Sequence, residues 1–238
     1  MSLMPEELVD SLLFHQASGE LVASFFDPDS SFEGDLLHTL PGNDPYTITL
    51  EDLFAVTMLD VVVGPRGVRR LLFDQLTRHQ ATGLLRKIPL NVDIWEGGNH
   101  LQTGGPADQL WHLLVKEGDR IGPVTAGKLL SRKRPRLIPI VDRVVESIFG
   151  AAARGYWNVF HGYLQSEDRR MRVALLRPKR VEESVSLLRI LDVVLWMWGS
   201  QGRDTKSVRT RIGLPALGWA ALFGVASNSS ESDRPVRR

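Results

Sequence analysis

The stretch RIGPVTAGKLLSRKRPRLIPIVDRVV, residues 120–145, is strongly basic and contains a single acid. It holds seven Lys or Arg residues, and the acid is Asp142. Asp142 follows the basic run RKRPR (132–136) and precedes an apolar segment that predicts a helix over 143–149. Because aspartate is favoured at helix starts, Asp142 is a candidate helix cap. It is equally a candidate carboxylate that acts on a molecule held by the basic residues.

The residues before Asp142 predict two helices joined by a tight turn. The first helix covers about 106–117, where Pro106 follows a loop glycine and leucines recur at helical spacing. The turn is DRIG, residues 119–122, and Pro123 opens the second helix. The N–H groups at the start of that helix have no partner within it, and the helix dipole points the same way. This pattern predicts a phosphate-binding turn. Four side chains would assist it with a hydroxyl group or positive charge: Thr125, Arg120, Lys128 and Arg132.

These residues resemble the helix-hairpin-helix, Gly/Pro-Asp segment of the DNA glycosylase superfamily that includes endonuclease III-like enzymes and adenine mismatch glycosylases. The family pattern is roughly L-P-G-h-G-x-x-T-A, then P-h-h-D, then x-x-V on a helix. Gly122, Thr125 and Ala126 match the hairpin and its second helix, residues 139–142 match the P-h-h-D segment, and Val145 matches the following valine. The close match covers about residues 119–149. The chain as a whole also resembles an uncharacterised bacterial family with this motif.

The resemblance implies a DNA-binding enzyme that acts on duplex DNA and removes a damaged or mismatched base. Asp142 would be the essential carboxylate, and the position of the lyase lysine holds Val124, which implies a monofunctional enzyme without a lyase step. The resemblance implies DNA contacts by Arg120, Gly122, Val124, Thr125, Lys128 and Arg132. It also allows a monovalent cation at the hairpin carbonyl groups.

The hairpin departs from the family pattern at two positions. Arg120 occupies the place of the first glycine, and Asp119 occupies the place of the proline before it. The Asp119 carboxylate would repel a phosphate that Arg120 attracts, which weakens the inferred contact with DNA.

The chemistry implied for Asp142 is the stabilisation of positive charge on a sugar. Cleavage of an N-glycosidic bond gives the deoxyribose oxocarbenium-like character, and a nearby carboxylate stabilises that charge and orients the attacking water. The target base must first leave the duplex stack. Two alternatives remain open: a non-catalytic DNA-binding or scaffolding protein, and an Asp142 that only caps a helix.

Charge is distributed unevenly along the chain of 238 residues. Residues 1–60 contain twelve acids and no Lys or Arg, so the remainder carries a formal charge of +13. This asymmetry is typical of a surface that meets a polyanion. It is also compatible with acidic and basic segments that pack on one another, or with an acidic segment that covers a basic face and regulates access to it.

Apolar residues at helical spacing predict an all-α fold, and the best strand candidate, YTITL (46–50), is short. We expect an acidic helical N-terminal extension over 1–48, a helix-hairpin-helix glycosylase-like helical domain over 49–226 and a disordered tail over 227–238. The apolar run 185–199 contains Arg189 and Asp192 and is too short to span a membrane, so we expect a buried helix there.

The residue inventory excludes several kinds of site. The chain has no cysteine, which excludes disulfides, thiolate zinc sites and iron–sulfur clusters. His79, His100 and His112 lack metal-ligand spacing, and we expect no cofactor. The acidic N-terminus does not resemble a signal peptide, so we expect a cytoplasmic protein. Trp196 and Trp198 are expected in the core.

Overall fold

The structure is a computed structural model, and it describes residues 5–149 and 156–222. The described residues form α-helices and short 3-10 helices, and no β-strand occurs among them. The prediction of an all-α fold is therefore confirmed. The predicted tail over 227–238 lies outside the described residues. The α-helices are α1 (Pro5–Phe14), α2 (Ser18–Phe25), α3 (Leu36–Thr39), α4 (Leu50–Ala55), α5 (Pro65–Phe73), α6 (Gln75–Lys87), α7 (Pro106–Leu114), α8 (Pro123–Lys133), α9 (Arg143–Phe149), α10 (Tyr156–Tyr163), α11 (Glu167–Leu175), α12 (Leu187–Gly199), α13 (Arg203–Arg211) and α14 (Trp219–Leu222).

Helix α12 lies at the centre of the core. It begins where the Ser186 hydroxyl accepts a hydrogen bond from the Arg189 backbone N–H at 3.1 Å. Most of its side chains are buried, and it packs against α1, α2, α9 and α11. The expected buried helix over 185–199 is confirmed, because the sequence LLRILDVVLWMWG is apolar on nearly every side.

Apolar side chains of the acidic N-terminal segment belong to the same core. Leu8, Val9, Leu12 and Leu21 are buried in one cluster with the side chains of α12. The Trp198 indole N–H of α12 donates to the Ser18 hydroxyl of α2 at 3.0 Å. The expected extension therefore contributes side chains to the centre of the fold, while the domain boundary near residue 48 stays a prediction.

Arg132, Lys133 and Arg134 of the basic run at the end of α8 are buried. Arg132 donates through Nε to Asp52 at 2.8 Å and through a terminal nitrogen to the Leu40 carbonyl at 2.8 Å. Arg134 donates to the Ile88 carbonyl at 2.8 Å and to the Pro45 carbonyl at 2.9 Å. Helix ends and turns leave carbonyl groups without partners, and the guanidinium fork satisfies several at once. The acidic and basic segments of the chain thus pack on one another here.

Across the two described ranges, no helix combines the length and the apolar character needed to cross a membrane.

Candidate functional site

The turn between α7 and α8 is short and hydrogen-bonded across its base. The Lys116 N–H donates to the Ile121 carbonyl at 2.8 Å, and Ile121 is fully buried between the two helices. A 3-10 helix over Glu117–Asp119 fills the loop. Helix α8 then starts at Gly122 and Pro123 without any side-chain cap. The predicted helix, tight turn and helix are present, except that α7 ends at Leu114 and not near residue 117, and the first N–H groups of α8 lack a capping side chain.

Arg120 adopts the left-handed conformation at this turn. Its φ is +59°, in the region that glycine favours and that costs other residues roughly 1–2 kcal/mol. The adjacent Asp119 carboxylate is buried and pairs with the Arg70 guanidinium, which also donates to the Leu113 carbonyl at 2.8 Å. The Asp119 charge is therefore compensated inside the protein. The Arg120 side chain is exposed and lies on the outer side of the turn.

We expect the substitution Arg120→Gly to stabilise the protein by about 1 kcal/mol, because it removes the steric cost of a Cβ at positive φ. Urea unfolding at neutral pH measures the change. The matched substitution Gly122→Ala should be close to neutral, since its φ is −83° and an added Cβ would meet no atom within 4 Å. A destabilised Arg120→Gly protein would contradict the left-handed conformation.

Asp142 caps helix α9 and also lines a cavity. One carboxylate oxygen, Oδ1, accepts hydrogen bonds from the Val144 N–H at 2.9 Å and the Val145 N–H at 3.1 Å. The cap that the sequence suggested is therefore present. The side chain is half-buried, and it borders a cavity of about 460 Å³. Asp142 can cap α9 and face the cavity at the same time, so the cap does not decide whether Asp142 is catalytic. The catalytic role stays a prediction.

The cavity lies between segments that are far apart in the chain. Its walls come from residues 31–34, the turn 57–60, α8, α12 and the start of α13. Three aromatic side chains form one side: Phe25, Phe32 and Trp196. Phe25 and Phe32 are stacked with their centroids 5.5 Å apart, and Trp196 meets both rings edge-on. This wall offers flat apolar surface to a bound molecule.

Charged groups line the remainder of the cavity. The Lys128 ammonium donates to the Leu59 carbonyl at 2.6 Å. Burial lowers the pKa of Lys128, while Asp142, Asp192 and Asp60 oppose that shift. Burial raises the pKa of Asp192 to about 7; the Arg189 charge opposes the rise, and the Asp142 charge adds to it. The cavity therefore holds two interacting carboxyl groups, one of which titrates close to neutrality.

The structure separates the predicted DNA-contact residues into two groups. Arg120, Gly122 and Val124 lie at the accessible start of α8. Thr125, Lys128 and Arg132 lie on the buried side of the same helix, since residues three and four apart share a face. Arg132 differs most from the prediction: its guanidinium is enclosed by Asp52 and by the carbonyls of Leu37 and Leu40, so it faces the core and not a phosphate.

Sequence reasoning missed several residues of the cavity. Arg189 and Asp192 are an ion pair on α12, and Trp196, which was expected in the core, is partly buried and lines the cavity. Trp198 is buried, as expected. A usable signal was present, because two opposite charges three residues apart inside an apolar helix require buried partners. Asp60 and Phe32 carry no comparable signal in the sequence.

No group of three or more His, Asp or Glu side chains suited to a metal ion occurs in the part of the chain that the structure describes. No curated protein and no solved structure matches the chain. Residues 18–199 match the protein family DUF6308, which is described as a family of unknown function. The match starts at the first residue of α2 and ends at the last residue of α12, so it includes the hairpin, Asp142 and most of the cavity wall. The chain belongs to the DUF6308 family.

Proposed function

We propose that the protein binds duplex DNA and hydrolyses the N-glycosidic bond of a damaged or mismatched base, as monofunctional helix-hairpin-helix glycosylases do. One observation carries the proposal: Asp142 borders a cavity of about 460 Å³ at the end of the segment that begins with the hairpin. Cavities of this size are in the range of small-molecule binding sites. A base that leaves the duplex would enter the cavity, and its sugar would lie beside Asp142.

The DNA backbone would contact the turn before α8. Arg120 supplies an exposed positive charge, and the N–H groups of Val124 and Thr125 at the uncapped helix start supply donors for a phosphate oxygen. Asp119 does not oppose this contact, because the Arg70 guanidinium compensates its charge. Lys128 faces the cavity, so it would act near the base and the sugar and not on the backbone.

Asp142 would act by stabilising the positive charge that develops on the sugar. The two N–H groups of α9 fix one carboxylate oxygen at hydrogen-bonding distance and so hold the orientation of the group. A carboxylate held in this way stabilises an oxocarbenium-like sugar and orients the attacking water. The step forms a bond from the water oxygen to the sugar carbon and breaks the bond to the base nitrogen. The bonding electrons leave with the base, the water gives up a proton to it, and the products are the free base and the sugar hydroxyl.

The experiment compares wild type with Asp142→Asn on duplexes that carry uracil, alkylated, oxidised or mismatched bases. Asparagine caps helices about as well as aspartate, so the variant keeps the cap and removes the charge. We expect the single-turnover excision rate to fall about 100-fold. The matched control is Asp204→Asn, which changes an acid at another part of the cavity wall. Excision that survives Asp142→Asn unchanged would contradict the assigned role.

A covalent intermediate is not expected in this reaction. Val124 stands where lyase-competent members of the superfamily that the hairpin resembles carry lysine, and the Lys128 ammonium is held by the Leu59 carbonyl. Borohydride should therefore trap no protein–DNA adduct during incubation with a cleavable duplex. A trapped adduct on a denaturing gel would exclude the monofunctional mechanism.

A second candidate is a non-catalytic DNA-binding protein. The observation that favours it is the helix cap, since capping α9 is by itself a sufficient structural reason for an aspartate at position 142. Salt-dependent duplex binding by the wild-type chain, without product on any lesion, would select this candidate.

A further inference from the structure

We propose that the exposed side of helix α5 binds the phosphate backbone of duplex DNA, as a continuation of the turn before α8. The contact residues are Arg66 and Arg69 of α5 together with Arg120 of the turn, and we call this set the α5 face. The inference rests on the proposed function, because it extends the contact that is assigned there to Arg120. It adds two residues that lie outside the hairpin segment.

The positive charge of the α5 face is not compensated inside the protein. Arg66, Arg69 and Arg120 are exposed, and no ion pair or side-chain hydrogen bond of theirs occurs within residues 5–149 and 156–222. The loop before α5 and the helix itself, residues 61–73, contain three arginines and no acid. Two of these arginines therefore present their full charge to the solvent and to any anion that approaches.

The start of α5 lies directly against the turn before α8. A Cβ atom at Gly64 would lie 3.1 Å from the Asp119 carbonyl oxygen and 3.4 Å from the Arg120 Cδ. A Cβ atom at Gly67 would lie 3.1 Å from the same carbonyl oxygen. Glycine at both positions permits this close approach. The Arg120 side chain therefore lies at the same end of α5 as Arg66, and Arg69 continues the surface along the helix, since residues three apart share a face.

Arg70 fixes α5 to the hairpin. Its guanidinium pairs with Asp119 of the turn and donates to the Leu113 carbonyl at 2.8 Å and the Leu114 carbonyl at 2.9 Å. Both carbonyls belong to the last turn of α7, so α5, α7 and the turn are held in one arrangement. A surface that is fixed before binding loses less conformational freedom when it meets its ligand.

The position of Arg66 in α5 is unfavourable for the helix itself. Arg66 is the second residue of α5, at the positive end of the helix dipole, where an acidic side chain would stabilise the helix and a cation destabilises it. Helices α1, α4 and α11 each carry two acids in their first turn, whereas α5 carries none. A local conflict of this kind is typical of a residue retained for binding.

The acids around the α5 face do not neutralise it. Asp119 is compensated by Arg70, and Asp74, at the far end of α5, accepts from the Thr77 N–H at 2.9 Å and so caps α6. Glu117 of the turn is exposed and is a single acid against the three arginines of the face. Duplex DNA offers one phosphate charge per about 1.7 Å of its axis, so it can pair with all three arginines at once.

The test measures the affinity of the protein for a short undamaged duplex by fluorescence anisotropy at several salt concentrations. Each lost phosphate contact lowers the slope of log K against log salt by about 0.9, which corresponds to roughly eightfold weaker binding at 0.1 M salt. The double variant Arg66→Gln/Arg69→Gln should therefore bind roughly 60-fold more weakly than the wild type. Its slope should be smaller by about 2.

A matched control separates a local contact from a general effect of charge. Lys179→Gln removes a positive charge from an exposed position in the loop before α12, and the next residue of that loop, Arg180, donates to the Ala23 carbonyl of α2. This variant should keep the affinity and the slope of the wild type. Thermal melting followed by circular dichroism checks folding. Arg66→Gln should melt at or above the wild-type temperature, because it removes a cation from the positive end of α5.

Several results would overturn the proposal. An unchanged salt slope in the double variant would exclude the two phosphate contacts, and an equal loss in Lys179→Gln would exclude a local surface. Tighter binding to a single strand of the same sequence, or displacement of the duplex by polyglutamate as effective as by unlabelled duplex, would exclude duplex DNA as the partner.

The binding assay needs neither a lesion nor bond cleavage, so it is independent of the excision assay. A double variant that loses affinity, from a wild type that excises no base, would support the α5 face and refute the proposed hydrolysis. Excision by the wild type, with equal affinity of the double variant for the duplex, would support the hydrolysis and refute the α5 face. A wild type that binds no duplex would overturn the α5 face whatever the excision assay shows.

Discussion

Replacement of Asp52 by asparagine is expected to destabilise the protein by about 3–5 kcal/mol, the usual cost of removing one partner from a buried ion pair. Asp52 is fully buried, accepts from Arg132 Nε at 2.8 Å and pairs with Lys133. Its second oxygen accepts from the Thr49 N–H at 2.8 Å in the cap of α4. Asparagine keeps an acceptor for the cap but leaves two buried cations without a counter-charge.

Urea unfolding at neutral pH measures this effect. Glu51→Gln is the matched control, because Glu51 is an exposed acid on the same helix and its loss should cost far less stability than the loss of Asp52. If the two variants lose similar stability, the buried arrangement of Arg132 and Lys133 is wrong. The exposed location that the sequence suggested for Arg132 would then be restored.

The second large expected effect is a dependence of the protein's stability on pH, which comes from Asp192. Burial raises the pKa of Asp192 from 3.8 to about 7, so between these values the folded chain holds a proton that the unfolded chain has lost. The stability that Asp192 contributes is complete below about pH 4 and is lost as the pH rises through 7. A shift of this size corresponds to about 4 kcal/mol. The charges that act on the group are those of Arg189 and Lys128, which favour ionisation, and of Asp142, which opposes it.

Asp192→Asn isolates this contribution. His38 acts in the opposite direction, because burial lowers its pKa from 6.5 to about 3 and stability therefore rises with pH in that window. The free energy of unfolding should therefore be measured from pH 4 to 8 for the wild type and for Asp192→Asn. The wild-type value is then subtracted from the variant value at each pH, which removes the contribution of His38. We expect the difference to change steadily in favour of the variant as the pH rises. A difference that is independent of pH would mean that Asp192 titrates normally.

The helices and the hairpin could be predicted from the sequence, because their formation depends on local patterns. Pro123 after Gly122, leucines at helical spacing and an aspartate before an apolar segment each determine structure within a few residues. The buried helix α12 followed from its composition in the same way. The cap by Asp142 was one of two alternatives that the sequence left open, and the hydrogen bonds to Val144 and Val145 establish it.

Long-range pairing was not accessible to the same reasoning. Charge counting left open whether the basic run meets a polyanion or packs on the acidic segment, and the structure pairs Arg132 with Asp52, eighty positions earlier in the chain. The cavity wall joins Phe32, in the loop between α2 and α3, to Trp196 of α12 for a similar reason, since packing between distant segments determines both positions. A periodic pattern identifies which face of a helix is buried but not which partner covers it. The sequence alone therefore does not identify the residues of the cavity.

The contact between α2 and α12 has a consequence for synthesis of the protein on the ribosome. The indole N–H of Trp198 reaches the Ser18 hydroxyl, so the first helices cannot complete their packing until almost two hundred residues have been translated. At roughly 5–20 residues per second, the N-terminal leucines stay without their final neighbours for about ten seconds or longer. During that interval the nascent chain displays an apolar surface, and we expect it to need a chaperone more than a chain whose earliest helices complete their packing among themselves.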